Sequence, residues 1–191
     1  MLRELNKKID IECRSTEERT FKDFAEICDI RRGIEAQEIE DYVFISSNGV
    51  RKRLSEYIRE KDRLFIVHNM GVKCRYCAVY ADGINAVYDQ LSEFGQLILV
   101  SPDAVDTMAE FGRTRGWRFN VASIAECNFS YDMNLQDEGG SPFPGLVIVE
   151  LSEGKPALVA KYGFEPGDHF SPLWPILQMA GISEEEADPY I

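Results

Sequence analysis

The sequence lacks any run of apolar residues long enough to cross a membrane, which takes about 20 consecutive residues. The stretch from Met1 to Lys8 also contains no apolar segment of the kind that directs secretion. We therefore expect a cytoplasmic protein with no membrane partner. The chain has 191 residues, of which 45% are hydrophobic, so it is long enough to bury one good-sized core.

The chain also has few basic residues relative to acidic ones. The chain has 21 Lys and Arg against 33 Asp and Glu, which gives a formal net charge of −12. This charge repels polyanions and disfavours a sequence-independent grip on nucleic acid. Arg51-Lys52-Arg53 is a local basic patch, but its place beside a predicted turn is typical of a solvated surface. We expect no nucleic-acid partner.

Cysteine is scarce as well, since the chain has 5 of them, but two stand close together in Cys74-Arg75-Tyr76-Cys77. A C-x-x-C pair in a reducing compartment indicates redox chemistry or metal binding more often than a structural disulfide. A structural zinc site needs four ligands, and Cys127, His68 and His169 are too scattered along the sequence to complete one. We therefore expect no metal and no organic cofactor.

The cysteine pair follows a pattern of strand, short loop and helix. Leu64 to Val67 is an apolar run typical of a buried strand, and residues 69–73 form a short connection. From Cys77 to Phe94, apolar residues recur at helical spacing over nearly five turns. This pattern predicts that Cys74 lies at the N-terminus of a helix.

A cysteine in that position favours its thiolate form. The unpaired N–H groups and the positive end of the helix dipole stabilise an anion, and Lys73 and Arg75 act in the same direction. Cys77 lies one turn further on the same face, close enough to form a disulfide with Cys74. The pattern predicts that Cys74 is a nucleophile and Cys77 a resolving thiol.

The rest of the chain reads as alternating strands and helices. We expect an N-terminal helical extension over residues 1–40, a domain over residues 41–182 and an acidic tail over residues 183–191. Residues 123–145 show no sustained periodicity, which indicates a lid, a partner surface or disorder. The elements predicted are helices over 16–31, 54–59, 102–115 and 172–180, and strands over 42–45, from 50, 96–100, 118–122, 146–151 and 157–162.

From Leu64 onward this order is βαβ followed by ββα, and together with the Cys74-x-x-Cys77 pair it resembles the thioredoxin superfamily. Pro144 stands directly before the strand over 146–151, where thioredoxin-like proteins carry a cis-proline that faces the dithiol. The stretch over residues 42–54 is similar to the leading hairpin of peroxiredoxin-like proteins. The resemblance implies an α/β thioredoxin-like three-layer sandwich with a central mixed sheet and an N-terminal helical and hairpin extension.

A closer resemblance is to a thioredoxin-like family known only as a domain of unknown function, related to the AhpC/TSA peroxiredoxin-like group. Its members share a strand that leads into C-x-x-C, and a stretch like Asn128-Phe129-Ser130-Tyr131-Asp132 before a Pro-Gly like Pro144-Gly145. The likeness covers roughly residues 40–180. Peroxiredoxins have a Thr three residues before the reactive cysteine. Here the residue three before Cys74 is Gly71, and the residue three before Cys77 is Cys74, so neither cysteine has this Thr. A standard peroxide site is absent.

The resemblance implies a thiol-disulfide oxidoreductase with catalytic Cys74 and Cys77. Pro144, Arg75 and Tyr76 are the residues we expect to contact the substrate, which is a protein or small-molecule disulfide or thiol. The two residues between the cysteines, Arg75 and Tyr76, do not include the proline that is usual in thioredoxins and glutaredoxins. The resemblance therefore assigns no redox potential to the cysteine pair. The alternative is a non-catalytic thioredoxin-fold binding or adaptor protein that uses its long loop and N-terminal extension as a partner surface.

Three further residues have two interpretations each. His68 ends the first core strand, where it is either a proton acceptor for the thiols or simply hydrogen-bonded. Cys127 in the long loop is either a second resolving thiol or an inert one. His169 precedes the last helix, and a place in an exposed loop suits it better than catalysis. The sequence leaves the oligomeric state and the electron donor open.

Overall fold

The computed structural model describes residues 2–58, 62–183 and 185–187. It divides into a unit that ends at Glu35 and a unit that begins at Ala36. The first unit is one helix, α1, over Leu2–Gly33. It is longer than the predicted helix over residues 16–31 because no proline, and no glycine before Gly33, interrupts this stretch. Most of the predicted acidic tail lies outside the described residues.

The second unit contains a mixed sheet. Within the described residues the sheet has eight strands in the order β1-β8-β7-β4-β5-β6-β2-β3. Strands β4, β5 and β6 are parallel, and all other neighbours are antiparallel. The strands are β1 Gln37–Glu38, β2 Val43–Ser46, β3 Arg51–Arg53, β4 Arg63–His68, β5 Gln96–Ser101, β6 Asn120–Ser123, β7 Gly145–Ser152 and β8 Lys155–Gly163.

Helices cover both faces of the sheet. They are α2 Leu54–Ile58, α3 Arg75–Ala86, α4 Tyr88–Ser92, α5 Val105–Thr114, α6 Phe129–Asp132 and α7 Leu173–Met179. Successive residues of a strand point to opposite faces, so Ile66 joins a core cluster with α2 and α6 while Val67 joins a cluster with α3, α5 and α7. The predicted three-layer arrangement is confirmed. None of the helices in the described residues is long and apolar enough to span a bilayer.

The helix that carries the cysteines is shorter than the sequence pattern predicts. The apolar spacing continues to Phe94, but α3 ends at Ala86, and Val87 leaves the helical conformation at φ −107° and ψ 19°. Asn85 accepts from the backbone N–H of Arg118 at 2.9 Å and donates to a loop carbonyl beside it. We attribute the break to these tertiary bonds, which hold Asn85 and so compete with helix continuation.

The long stretch over residues 123–145 is anchored to the core. Its four-residue helix α6 buries Phe129, whose ring packs edge-on against the rings of Tyr42 and Phe44 with both centroids 5.3 Å away. A helix this short leaves no periodic signal in a sequence, which is why none was predicted. The β2–β3 hairpin, predicted as part of an extension, joins the central sheet through β6.

Candidate functional site

Residues 69–73 connect β4 to α3, and two side chains hold them in place. Asn69 Oδ1 accepts from the N–H of Gly71, and Asp103 Oδ2 accepts from the N–H of Val72, both at 2.8 Å. Gly71 has φ +125°, and a Cβ there would lie 2.8 Å from Asp103 Oδ2, so the loop requires glycine. Asp103 reaches the loop because the parallel strands β4 and β5 end at the same edge of the sheet.

Cys74 is the N-cap residue of α3, as the sequence predicts. Its Sγ accepts from the backbone N–H of Cys77 at 3.2 Å, the bond that an N-cap serine or aspartate usually makes. Cys74 is half-buried, whereas Cys77 is only 2% exposed. The two cysteines are near each other and both are free thiols in the structure.

The environment separates the pKa values of the two thiols. The pKa of Cys74 is lowered to about 7, chiefly because the thiol of Cys77 donates a hydrogen bond to its sulfur, with help from the backbone N–H groups of Cys77 and Tyr76. The pKa of Cys77 is raised by the same hydrogen bond and by burial. Cys74 is therefore the sulfur that ionises first. A contribution from Lys73 and Arg75 stays a prediction.

Met70 is a sulfur-bearing neighbour that the sequence reasoning missed. Its Sδ lies 3.8 Å from Cys74 Sγ, and its backbone N–H points at Cys77 Sγ at 3.4 Å. Met70 is 38% exposed, so it borders solvent. A signal exists in the sequence, because a residue just after the end of β4 must lie at the sheet edge where α3 begins.

His68 is hydrogen-bonded at the strand end and is not a free proton acceptor. Its Nδ1 lies 2.6 Å from the carbonyl of Phe143 and its Nε2 lies 2.7 Å from Ser130 Oγ. A carbonyl only accepts, so Nδ1 carries the proton and the Ser130 hydroxyl donates to Nε2. Burial lowers the pKa of His68 to about 4, which keeps the ring neutral at neutral pH. His169 is exposed, in agreement with its predicted loop position.

The peptide bond before Pro144 is trans, so the cis-proline implied by the resemblance is wrong: the described residues contain no cis peptide bond. The backbone of Phe143 is also occupied. Its N–H donates to the carbonyl of Leu135 at 2.8 Å, and its carbonyl accepts from His68 at 2.6 Å. The backbone N–H of the residue before Pro144 is therefore already used and cannot donate to an extended substrate. Pro144 instead borders a cavity of about 370 Å³ that Leu135 and Phe143 also line.

Arg75 and Tyr76 differ in how they are placed. Arg75 is exposed at the first position of α3. Tyr76 is half-buried, with its ring 5.8 Å from that of Trp174 and its hydroxyl donating to the carbonyl of Ala187 at 3.4 Å. The predicted contacts of Arg75, Tyr76 and Pro144 with a substrate stay predictions.

Cys127 does not share the surroundings of the pair. It packs against the core cluster that includes α6, whereas α3 packs against the cluster on the opposite face of the sheet. Its thiol donates to the carbonyl of Ile124 at 3.6 Å, and burial raises its pKa. These contacts favour the interpretation of Cys127 as an inert thiol.

Known structures share this architecture. The bacterioferritin comigratory protein of Xanthomonas campestris, in a study of alkyl peroxide reduction, matches with TM-score 0.60 and 14% identity, over 76% of this chain and 99% of its own. Peroxidoxin BcpB from Mycobacterium tuberculosis matches with TM-score 0.58 and 14% identity, over 67% and 84%. A peroxiredoxin-like protein from Aquifex aeolicus matches with TM-score 0.55 and 14% identity, over 69% and 78%.

The likeness to these structures shows the fold, which is the thioredoxin-like fold of the peroxiredoxins, and in this chain two cysteines lie at the start of α3. The chain belongs to the family described as "Bacterial protein of unknown function (DUF899)", which it matches over residues 12–160. The resemblance seen in the sequence is thereby confirmed. No curated protein matches the sequence.

Proposed function

We propose that the protein is a thiol-disulfide oxidoreductase in which Cys74 is the nucleophile and Cys77 the resolving thiol. The observation that carries this proposal is the difference between the two sulfurs. Cys74 is half-buried with its pKa lowered to about 7, and the thiol beside it is buried with its pKa raised. A thiolate that forms near neutral pH and reaches solvent is the attacking group that exchange requires.

The reaction proceeds in two displacements. The Cys74 thiolate attacks one sulfur of a substrate disulfide, a mixed disulfide forms and the other substrate sulfur leaves as a thiolate. The Cys77 thiol then loses its proton and attacks Cys74 Sγ, which releases the second substrate thiolate. The substrate gains two electrons and the protein ends with a Cys74–Cys77 disulfide, which an external thiol reductant must reduce.

Loss of the negative charge on Cys74 in the mixed disulfide makes the attack by Cys77 easier. The Cys74 thiolate contributes to the raised pKa of Cys77, both through its charge and through the hydrogen bond that it accepts. In the mixed disulfide Cys74 Sγ is neutral, so both effects on the pKa of Cys77 weaken. The resolving thiol therefore ionises more readily after the first attack than before it. No organic cofactor takes part.

A second candidate is reduction of a peroxide by the same pair. Its support is the half-buried Cys74 thiolate next to a resolving thiol, in a fold shared with a protein studied for alkyl peroxide reduction. Attack of Cys74 on ROOH would give a sulfenic acid and ROH, and condensation with Cys77 would then release water and form the same disulfide. The absent threonine motif weighs against this candidate.

The first experiment is to measure the reduction potential of the pair. The purified protein is equilibrated in glutathione buffers, and the intramolecular disulfide is quantified by mass, with Cys74→Ser and Cys127→Ser as matched variants. A reversible couple between about −180 and −280 mV, absent in Cys74→Ser and retained in Cys127→Ser, supports exchange. If no disulfide forms in any buffer, the cysteines are not a redox pair and the binding or adaptor alternative takes precedence. If stoichiometric peroxide oxidises the two cysteines faster than glutathione disulfide does, the result favours the second candidate, peroxide reduction.

A further inference from the structure

Met70, Cys74 and Cys77 lie together where β4 leads into α3, with Met70 and Cys74 bordering solvent and Cys77 buried behind them. Met70 Sδ lies 3.8 Å from Cys74 Sγ, and Cys77 is hydrogen-bonded to Cys74 through both its thiol and its backbone N–H. The backbone of Met70 also reaches the third sulfur, at 3.4 Å from its N–H to Cys77 Sγ. A thioether in contact with a cysteine pair has no role in the exchange mechanism above.

The spacing suits ligands of one metal ion. Three sulfurs that surround an ion in a plane, each with a bond of about 2.3 Å as in zinc thiolates, lie about 4 Å from one another. The distance of 3.8 Å between Met70 Sδ and Cys74 Sγ is close to that value. The backbone N–H of Met70 at 3.4 Å and that of Cys77 at 3.2 Å keep the third sulfur and Cys74 Sγ in the same small region.

The ligand types select the metal. Two thiolates and a thioether form a soft donor set, and soft sulfur donors select Cu(I) over harder divalent ions. Zinc takes Cys, His and carboxylate ligands, at least three of them from the protein, and the described residues contain no group of three or more His, Cys, Asp or Glu placed to hold a metal. His68 lies at the end of the same strand, but both of its ring nitrogens are already hydrogen-bonded.

The backbone of the loop holds Met70 in position before any ion binds. The loop that carries it is fixed by the bonds from Gly71 to Asn69 and from Val72 to Asp103, each 2.8 Å long. Pre-positioned ligands lower the entropic cost of binding an ion. Met70 and Cys74 also border solvent, so an ion can enter, while the buried Cys77 closes the inner side of the site.

We propose that the reduced protein binds one Cu(I) ion through Cys74 Sγ, Cys77 Sγ and Met70 Sδ. Both thiols release their protons on binding, so the ion and its two thiolates carry a net charge of −1, and no electron is transferred. The site exists only when the cysteines are reduced. It does not depend on whether the pair exchanges disulfides.

The test is an anaerobic titration of the reduced full chain with Cu(I), in competition with the chromophoric chelator bicinchoninate. The variants are Met70→Leu, which removes the thioether but keeps the apolar volume, and Cys74→Ser. Met179→Leu is the matched control, since Met179 is 90% exposed on α7. Circular dichroism of each variant shows that it is folded, and X-ray absorption counts the sulfur ligands.

We expect one Cu(I) per chain with three sulfur ligands. Met70→Leu should weaken binding by about ten-fold or more and leave two sulfurs, because loss of a ligand costs at least as much as loss of a residue that only hydrogen-bonds to a ligand. Met179→Leu should bind like the wild type. The copper site is overturned if the wild type retains no Cu(I) against the chelator, or if Met70→Leu binds as tightly and with the same sulfur count. If copper does not bind but the Cys74–Cys77 disulfide forms reversibly, the copper site is wrong and the exchange function is retained. If copper binds but no disulfide forms, the exchange function is wrong and the copper site is retained.

Discussion

The backbone N–H of Cys77 donates to Cys74 Sγ at 3.2 Å, so the two cysteines are joined by the capping bond of the helix that carries them. The thiol of Cys77 donates to the same sulfur and is the larger influence on its pKa. One residue therefore supplies both the partner for the disulfide and the main stabilisation of the thiolate. Loss of the Cys77 side chain separates these contributions, since the backbone N–H remains.

Cys77→Ala should raise the pKa of Cys74 from about 7 toward the value of about 8.5 for a free cysteine. The thiolate loses its strongest hydrogen bond and keeps the backbone bonds, so the shift should be partial. The rate of Cys74 alkylation by iodoacetamide, followed from pH 5 to pH 10 by mass, measures this pKa. Cys127→Ala is the control and should leave the profile unchanged. An unshifted profile in Cys77→Ala would show that the thiol hydrogen bond does not set the pKa.

The two cysteines should behave differently when either one is alone. Incubated with glutathione disulfide near pH 7, Cys77→Ser should accumulate a stable mixed disulfide at Cys74, because no resolving thiol is present. Cys74→Ser should react far more slowly, because Cys77 is buried. Peptide mapping by mass locates the adduct. Equal modification of both variants, or faster modification of Cys77, contradicts the assigned roles.

Gly71→Ala should destabilise the protein. An alanine at φ +125° is strained, and its Cβ would push the Asp103 carboxylate away from the N–H of Val72, for a total cost of about 1–3 kcal/mol in the free energy of unfolding. Gly49→Ala is the matched control, because Gly49 also has positive φ but nothing lies within 4 Å of its added Cβ. It should cost about 1 kcal/mol. Urea unfolding curves of both variants measure the difference, and equal costs would mean that the contact with Asp103 does not matter.

His68 should make the protein less stable in mild acid. Its pKa is about 4 in the folded protein against 6.5 for the unfolded chain, so the unfolded state binds more protons between these values and stability falls as the pH drops through that range. Between pH 7 and pH 5 the wild type should lose about 2 kcal/mol that His68→Gln does not lose. Urea unfolding at the two pH values provides the comparison. Parallel losses in wild type and variant would place the acid sensitivity in other groups.

The local parts of the site were predictable from the sequence. An apolar strand, a short loop and residues at helical spacing identify the N-terminus of α3, and Cys74 lies there. These features depend on neighbours within a few residues. The order of strands and helices around them, together with the resemblance to thioredoxin-like proteins, indicated the three-layer fold.

The non-local parts were not predictable. The bond between Val72 and Asp103 joins residues 31 positions apart, and the end of α3 depends on bonds between Asn85 and a loop 33 positions away. The sequence places Met70 at the sheet edge, but its contact with Cys74 depends on the loop conformation that the distant Asp103 holds. The cis-proline expectation was carried over from other thioredoxin-like proteins, and here His68 and Leu135 hold the preceding residue instead.

The ends of the sheet have a consequence for how chains meet at high concentration. An exposed edge strand is a template on which a second chain can add its own strand and begin to aggregate. Here β1 is only two residues long, and β3 consists of Arg51, Lys52 and Arg53. All three side chains of β3 are charged, and Arg51 and Arg53 are paired with Glu126 and Asp41. A second chain that added its strand there would have to break these ion pairs and bury charge, so the charged edge disfavours edge-to-edge aggregation.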